Sequence, residues 1–479
     1  MVKLYPHQRK ALRRALKRPS FFLFMEQGTG KTLVAIKCIE ERYLNGDISR
    51  VLILCPNSIQ HNWEVELERF LGIPYSVERL GGKGKLKRGI ALRRIKNQEG
   101  LQIVIANFEK VRISYDSLNR LQVDQLIIDE GHKLRNRNSQ IAKGTYGLSK
   151  NIPYKLHMTG TPICGGPEDL FMQYKIIDPT VLGTSYLDFE SRYIRKGGYM
   201  NYQIVGYKNI DKLSKLVEKT SFRVRLDECI NLPPITYSTL YSELTNNQNK
   251  AYTQMKEEML VNLGDQIDRR RLKGILKANG VRYSPQEDYV SLLIKAQEYL
   301  DQSSCDLAVT QIMRLQQISG GFLTLDSGEI QYLGSNKLKL LYEVVDESSG
   351  PVVVFVKYVA EVQLLEESLK GKYTNKRVVP YRGNRRDDYY DQFQRGEIDI
   401  LILQISSGSV GLNLQISHTL VMYSWDYSYD NYVQCLSRII RAGQKNRVRI
   451  VRLVNENTID QDILEVIESK RKLADKVLD

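Results

Sequence analysis

Short apolar runs recur along the chain, and helical spacing of apolar positions separates them. In the first part of the chain these runs are FFLF at Phe21, VLILCP at Val51, LQIVIANF at Leu101, QLIIDE at Gln125 and YKLHMTGTP at Tyr154. Continuous apolar runs that alternate with helical segments are typical of parallel strands buried on both faces. The pattern therefore predicts a parallel sheet covered by helices.

The same rhythm returns after Gly350. Its apolar runs are PVVVFV at Pro351, RVVPY at Arg377, DILILQ at Asp399, TLVMYSW at Thr419 and VRIVRLV at Val448. Residues 169–340 are instead helical in pattern and rich in Lys, Glu and Gln. We predict an α/β protein with two parallel-sheet lobes, residues 1–168 and 341–479, joined by a helical insertion region.

A glycine-rich turn, Gly28-Thr29-Gly30-Lys31-Thr32, joins the first apolar run to a helical segment. Such a turn points backbone N–H groups at one spot beside the positive end of a helix, where phosphate binds. The Lys31 ammonium can reach the β- and γ-phosphates, and the Thr32 hydroxyl can ligate Mg²⁺. Met25 stands where G-x-x-x-x-G-K-[ST] has its first glycine. We interpret the turn as an ATP-binding loop.

Polar residues end two of the other apolar runs. Asp129 can hold Mg²⁺ at a strand end, and Glu130 beside it can orient and deprotonate the attacking water. His132 and the hydroxyls of Thr159 and Thr161 could bond to this cluster and relay the state of the nucleotide. The alternatives are an acidic turn before a helix and a Ser/Thr turn closed by proline.

Two further positions carry candidate chemistry with a plain alternative beside it. Gln8 precedes the phosphate loop, so its amide could read the adenine edge or simply be a solvated helix residue. Arg438 and Arg441 are three apart, which predicts that both project from one face of a helix. Their guanidinium groups could stabilise charge on the γ-phosphate, or they could form a solvated basic face.

The net charge of +15 favours a polyanionic partner, with nucleic acid ahead of acidic membrane. Basic residues cluster between Arg79 and Lys96, around Lys133 and Arg135, and around Arg270. The first cluster could contact DNA or be a solvated loop. No apolar run approaches the length of a membrane span. The six cysteines form no C-x-x-C pair, which argues against zinc and favours a reducing compartment.

Taken in order, these motifs resemble the Swi/Snf-type DNA-translocating ATPases of helicase superfamily two. The similar segments are MEQGTGKT, DEGHKLRNRNS, the LPP…LTNNQ…Y stretch at Leu232, IMRLQQI at Ile312, the SSGSVGLNL…QCLSRIIRAGQ block and NTIDQDILE at Asn457. The resemblance covers nearly the whole chain. It implies two RecA-like lobes, ATP as substrate and Mg²⁺ as cofactor.

The resemblance also implies residue roles. Gln8 would contact adenine, Asp129 would bind Mg²⁺ and Glu130 would contact the water. Arg438 and Arg441 would be the arginine fingers. Further ATP contacts would come from Gly411 and Gln444, and the DNA-binding candidates are Lys133, Arg135, Ser406, Ser407 and Asn413. Three positions depart from the family pattern: Gly131 replaces the usual Ala, Met25 replaces the usual Asp, and Ile440 replaces the usual His. None of these departures removes a catalytic group.

The expected function is a DNA-dependent ATPase that translocates on duplex or branched DNA in replication, recombination or repair. The alternatives are a protein-displacing remodeller or transcription-recycling ATPase and, from another class, a non-hydrolysing DNA-binding scaffold. RNA is a further possible partner, and no LSGGQ-like segment supports a transporter. We expect a compact, monomeric, cytoplasmic enzyme of a prokaryotic cell or a virus-infected host cell, since no secretion signal or appended targeting module is recognisable.

Overall fold

Two parallel sheets organise the chain, each in a unit of its own. The computed structural model describes residues 3–80, 85–197, 203–229, 232–264, 269–278, 291–293, 302–381, 388–406 and 412–478. The first unit comprises Met1–Tyr193, Asn209–Asn231 and Lys472–Asp479, and the second comprises Ile194–Lys208 and Leu232–Arg471.

The described elements of the first unit alternate between strand and helix for most of its length. In chain order they are α1 (Pro6–Leu16), β1 (Ser20–Met25), α2 (Lys31–Leu44), β2 (Arg50–Leu54), α3 (Gln60–Phe70), β3 (Tyr75–Arg79), α4 (Lys85–Lys96), β4 (Leu101–Ala106), α5 (Phe108–Ile113), α6 (Tyr115–Asn119), β5 (Gln125–Asp129), α7 (Gln140–Ser149), β6 (Tyr154–Met158), α8 (Asp169–Ile177), α9 (Pro179–Leu182), α10 (Tyr186–Tyr193), then α11 (Ile210–Thr220), β9 (Ser221–Val224) and α12 (Leu226–Cys229). Short 3₁₀ helices cover Asn57–Ile59 and Gly131–Leu134.

The second unit begins with a hairpin of β7 (Ile194–Gly197) and β8 (Gln203–Tyr207). Its other described elements are β10 (Ile235–Ser242), α13 (Asn246–Gly264), α14 (Arg269–Ala278), α15 (Gln302–Gly320), β11 (Phe322–Thr324), β12 (Ile330–Tyr332), α16 (Lys337–Glu347), β13 (Val352–Val356), α17 (Val359–Lys372), β14 (Val378–Tyr381), α18 (Tyr389–Gln394), β15 (Ile400–Gln404), β16 (Thr419–Met422), α19 (Tyr429–Leu436), β17 (Val448–Asn455) and α20 (Ile459–Leu478), whose last residues belong to the first unit.

Both main sheets are parallel throughout, which confirms the predicted fold class. The first has the strand order β3-β4-β2-β5-β6-β1-β9, and the second has the order β10-β17-β16-β13-β15-β14. The central strands are apolar on both faces, as the sequence pattern requires. All six residues of β4 and all five of β13 are buried.

The middle region, predicted as a helical insertion, also supplies one strand to each sheet. β9 pairs with β1 in the first sheet, and β10 pairs with β17 over eight residues in the second. Both lie at a sheet edge, where a strand has one neighbour and more contact with water. β10 consequently carries polar and half-exposed residues and lacks the continuous apolar run that marked the central strands.

A buried ion pair joins several elements at the carboxyl edge of the second sheet. Lys337 has no exposed surface, and its Nζ lies 2.5 Å from Asp460 Oδ2. Lys337 also donates to the Tyr423 carbonyl (3.2 Å), while Asp460 accepts from Ser319 Oγ (2.7 Å) and the Asn455 N–H (3.1 Å). The pair therefore links α15, α16, β17 and α20.

We expect Asp460→Asn to destabilise the second unit by about 3–5 kcal/mol, because it leaves a buried lysine charge without its partner. The double variant Lys337→Met/Asp460→Leu removes both charges and should cost much less. Urea unfolding followed by tryptophan fluorescence measures this in a Trp63→Phe background, since Trp425 is then the remaining tryptophan and lies in the second unit. Lys370→Ala, which breaks an exposed i,i+4 pair with Glu366, is the control and should cost at most about 0.5 kcal/mol. A loss of the same small size for Asp460→Asn would contradict the importance of the buried pair.

Candidate active site

The candidate active site of the first unit lies where three neighbouring strands end. β6 sits between β5 and β1 in the parallel sheet, with Asp129 opposite Met158 and Leu23 opposite Met158 across the two ladders. Because parallel strands end at the same edge, the segments after β1, β5 and β6 are brought together. These are the segments that carry the predicted phosphate loop, the acidic pair and the two threonines.

The phosphate loop has the backbone conformation that its glycines permit. Gly28 and Gly30 have φ of 83° and 82°, in the left-handed region where residues with a Cβ are disfavoured. α2 starts directly after Gly30, so the N-terminal N–H groups of that helix face the loop. Lys31 is buried, and its Nζ donates to the carbonyls of Met25 (2.7 Å) and Glu26 (3.1 Å). The lysine charge is thus held inside the loop.

Gln8 packs against this loop and is not a solvated helix residue. It is buried, its Nε2 donates to the Thr29 carbonyl (3.1 Å), and its Oε1 accepts from the Tyr5 N–H (3.0 Å). A Cβ at Gly30 would lie 2.2 Å from Gln8 Nε2, so the glycine is needed for this close approach as well. The placement beside the loop suits an adenine contact, which stays a prediction.

Asp129 is buried at the end of β5 and oriented by a residue that the sequence pattern did not single out. Trp63 Nε1, from α3, donates to Asp129 Oδ2 (3.0 Å), and the Glu130 N–H donates to Oδ1 (3.0 Å). Burial raises the pKa of Asp129 and Glu130 raises it further, while the nearby Lys31 charge lowers it. A divalent cation at this carboxylate would likewise favour its charged form.

Glu130 has a strained backbone and a partly exposed carboxylate. Its φ of 53° and ψ of 46° are left-handed, a conformation that costs a non-glycine residue roughly 1–3 kcal/mol and that clusters at functional sites. Gln27 Nε2 lies 3.4 Å from Glu130 Oε1, and His132 Nδ1 lies 3.4 Å from Oε2. The side chain therefore reaches from the end of β5 to the phosphate loop.

His132, Thr159 and Thr161 form a connected group under the acidic pair. His132 Nδ1 lies 3.0 Å from Thr159 Oγ1, which also accepts from the Thr161 N–H (3.1 Å). His132 and Thr159 are both buried. The predicted proximity of these residues to the acids is present, and their relay role stays a prediction.

The arginines of the second unit differ from the sequence prediction. α19 ends at Leu436, so Arg438 and Arg441 lie in the turns that follow and not on one helix face. Short-range turn bonds such as Arg438 N–H to the Cys435 carbonyl (3.2 Å) replace the helical pattern, and Gly443 adopts a φ of 96°. Arg438 is buried, whereas Arg441 is half-buried and donates to the Leu412 carbonyl (3.4 Å).

Gln444 stabilises the same turn with its amide. Its Nε2 donates to the carbonyls of Gln415 (3.0 Å) and Ser417 (2.9 Å), and its Oε1 accepts from the N–H groups of Lys445 and Asn446. The predicted ATP contact of Gln444 stays a prediction. Among the other candidates in this unit, Ser406 is exposed and Asn413 is half-buried, while Ser407 and Gly411 lie outside the described residues.

The basic DNA-binding candidates of the first unit are accessible. Lys133 is exposed, and the Arg135 side chain is 39% exposed with its Nε 3.8 Å from Asp169 Oδ1. The cluster near Arg88 is not a solvated loop, because it forms α4. That helix packs through Ala91, Leu92 and Ile95 and buries Arg88 against Ser114.

The residues at the strand ends fit a magnesium–nucleotide complex. Within the described ranges, no group of three or more His, Cys, Asp or Glu side chains could hold a metal alone. Mg²⁺ commonly binds through one or two protein ligands together with substrate phosphates, so two protein ligands are enough, and the assignment of Asp129 and Thr32 stays a prediction. None of the described helices is long and apolar enough to cross a membrane.

Two protein-family models match the chain. Residues 7–287 match the SNF2-related domain, and residues 336–443 match the helicase conserved C-terminal domain. The chain belongs to the SNF2-related family. Membership confirms the resemblance to Swi/Snf-type ATPases of helicase superfamily two.

Individual relatives are distant but align over nearly all of the chain. Human chromodomain-helicase-DNA-binding protein 6 is 24% identical over 96% of the chain, which spans 17% of that protein. DNA repair and recombination protein RAD54B of Gallus gallus is 26% identical over 99% of the chain and 54% of its own length. The solved Sulfolobus solfataricus SWI2/SNF2 ATPase core in complex with dsDNA aligns with all of the chain and 93% of its own, at 20% identity and a TM-score of 0.42. The chain thus spans about a sixth to a half of the curated relatives it matches.

We predict that Trp63→Phe raises the Mg²⁺ concentration needed for half-maximal ATP hydrolysis by about 10-fold or more, because the Asp129 carboxylate loses the donor that orients it. Phenylalanine keeps most of the buried aromatic volume. ATP hydrolysis measured across a Mg²⁺ titration tests this, with melting temperature as the check on folding. An unchanged Mg²⁺ requirement in a folded variant would contradict the orienting role of Trp63.

Proposed function

We propose that this protein is an ATP-driven motor that translocates on duplex or branched DNA. The observation that carries the proposal is the convergence of Lys31, Asp129 and Glu130 at one edge of the first sheet, in a chain of the SNF2-related family. A phosphate-holding lysine, a metal-binding acid and a second acid beside it are the parts that phosphoryl transfer to water requires.

Each of these residues has a distinct part in the proposed reaction. Lys31 and the N–H groups at the start of α2 hold the phosphates, and Asp129 and Thr32 hold Mg²⁺. When bound, the metal neutralises charge on the phosphate oxygens. Glu130, partly exposed at the end of β5, orients the attacking water and accepts its proton. His132 keeps the Glu130 carboxylate in place through its contact with Thr159.

The proposed nucleic acid partner is supported by charge. The chain carries 70 Lys and Arg residues against 55 Asp and Glu. Lys133 is exposed three residues after Glu130, where a phosphate contact would lie close to the hydrolytic residues. We propose that such backbone contacts supply most of the affinity, so binding is weakly sequence-specific.

For the biological role we favour replication, recombination or repair. RAD54B, whose name places it in DNA repair and recombination, matches over more than half of its own length. The chromodomain-helicase-DNA-binding relatives match over about a sixth of their length. The second candidate is a motor that displaces proteins from DNA. DNA stimulation of ATP hydrolysis separates the two candidates. Forks and four-way junctions should stimulate hydrolysis more than linear duplex if the protein acts in replication, recombination or repair. Equal stimulation by plain duplex supports the protein-displacing motor.

Arg441→Ala should abolish ATP hydrolysis while ATP and DNA binding change less than about 3-fold, because an arginine finger stabilises charge that exists only in the transition state. Arg395→Ala, which removes an exposed arginine paired with Glu397 in the same unit, is the matched control and should hydrolyse ATP normally. Steady-state hydrolysis and fluorescent-nucleotide binding are the measurements. An equal loss of ATP binding in Arg441→Ala would remove the proposed finger role.

We expect DNA affinity to fall steeply with salt, because each phosphate contact releases condensed counterions. Fluorescence anisotropy with a labelled duplex, at salt concentrations from about 50 to about 200 mM, gives the slope of log affinity against log salt concentration. Lys133→Ala should reduce the slope by about one contact and weaken binding to all sequences alike. A slope near zero would argue against backbone-phosphate binding.

A further inference from the structure

The turn that follows Glu130 contains a glycine, Gly131, and the ring of another residue occupies the space that a side chain at this position would need. Gly131 follows Glu130 and begins the short 3₁₀ helix Gly131–Leu134. A Cβ at Gly131 would lie 2.1 Å from His157 Nε2, 2.5 Å from its Cε1 and 2.6 Å from its Cδ2. Gly131 is not among the glycines with positive φ, so it is the space and not the backbone angle that excludes a side chain.

The His157 ring cannot easily give way. It is fully buried within β6, between the neighbouring strands β5 and β1. Its ring centroid lies 5.2 Å from that of Phe22 and 6.2 Å from that of Phe24, and Phe22 in turn stacks on Tyr174 at 4.1 Å. Close packing of this kind transmits a displacement instead of absorbing it. An added methyl group would therefore push the turn.

His157 also adds no charge to the site. Burial lowers the pKa of His157 to about 3, and the neighbouring His132 acts in the same direction. The ring is therefore neutral at physiological pH. It acts on the acidic turn through its volume and through a polar contact with the backbone of Gly131.

We propose that His157 is a positioning residue for ATP hydrolysis: its ring fills the space beside Gly131 and fixes the turn that holds Glu130 in its left-handed conformation. The inference rests on the proposed role of Glu130. It also explains why glycine stands at position 131, since His157 leaves no room for the methyl group of alanine. Gly131 lies in the turn after β5 and His157 lies in β6, both outside the predicted phosphate loop, so the effect should fall on turnover and not on nucleotide affinity.

The test is a double-mutant cycle of Gly131→Ala, His157→Ala and the double variant. Gly131→Ala should lower kcat roughly 10- to 100-fold, since a small misplacement of a reacting group has effects of this size, while KM for ATP changes less than about 3-fold. The double variant gives the new methyl group room and should recover at least about 5-fold of the lost kcat. Melting temperature should fall in Gly131→Ala and rise again in the double variant.

Gly147→Ala is the matched control. Its Cβ would lie 2.7 Å from Tyr115 Oη, a close contact in the same unit but on α7, so the same substitution there should leave kcat unchanged. A kcat for Gly131→Ala equal to that of the wild type would overturn the proposal, as would a double variant no faster than Gly131→Ala. A wild type that hydrolyses no ATP with any DNA would overturn the proposed function and the positioning role with it, while melting temperatures would still decide whether the two residues are sterically coupled.

Discussion

The parallel pairing of β5, β6 and β1 is the constraint on which the rest of the site depends. Each strand delivers its polar residues at the same edge, so the phosphate loop, the acidic pair and the threonines meet without any long-range loop. The buried apolar strands make this edge rigid. A shift of one residue in the β5–β6 register would separate Asp129 from the loop and turn His157 to the other face.

Burial sets the electrostatic character of this edge. Lys31 is enclosed by carbonyl groups, and Asp129 is buried beside it, so both charges interact more strongly than they would in water. Glu130 differs because it remains partly exposed and has a strained backbone. The same turn thus holds the buried Asp129, which would bind Mg²⁺, and the partly exposed Glu130, which would activate a water molecule.

Local patterns were the part of the site that could be predicted from sequence. A buried strand, a glycine turn and a helix follow one another directly, which locates Lys31, and an apolar run ending in Asp129 and Glu130 locates the acids. Contacts made across the sheet leave no such signal, so Trp63 and His157 became visible only in the structure. The break after Leu436 and the edge strand β9 were missed because tertiary contacts outweigh periodicity there.

The most direct test of the central claim is ATP-dependent displacement of a third strand from a triplex on linear duplex DNA. A motor that moves along duplex strips the third strand without separating the two strands beneath it. We expect displacement by the wild type with ATP, and none with a non-hydrolysable analogue or with Glu130→Gln. Vigorous DNA-stimulated hydrolysis without displacement would contradict translocation, and displacement by Glu130→Gln would contradict the assignment of Glu130 as the base that activates the water.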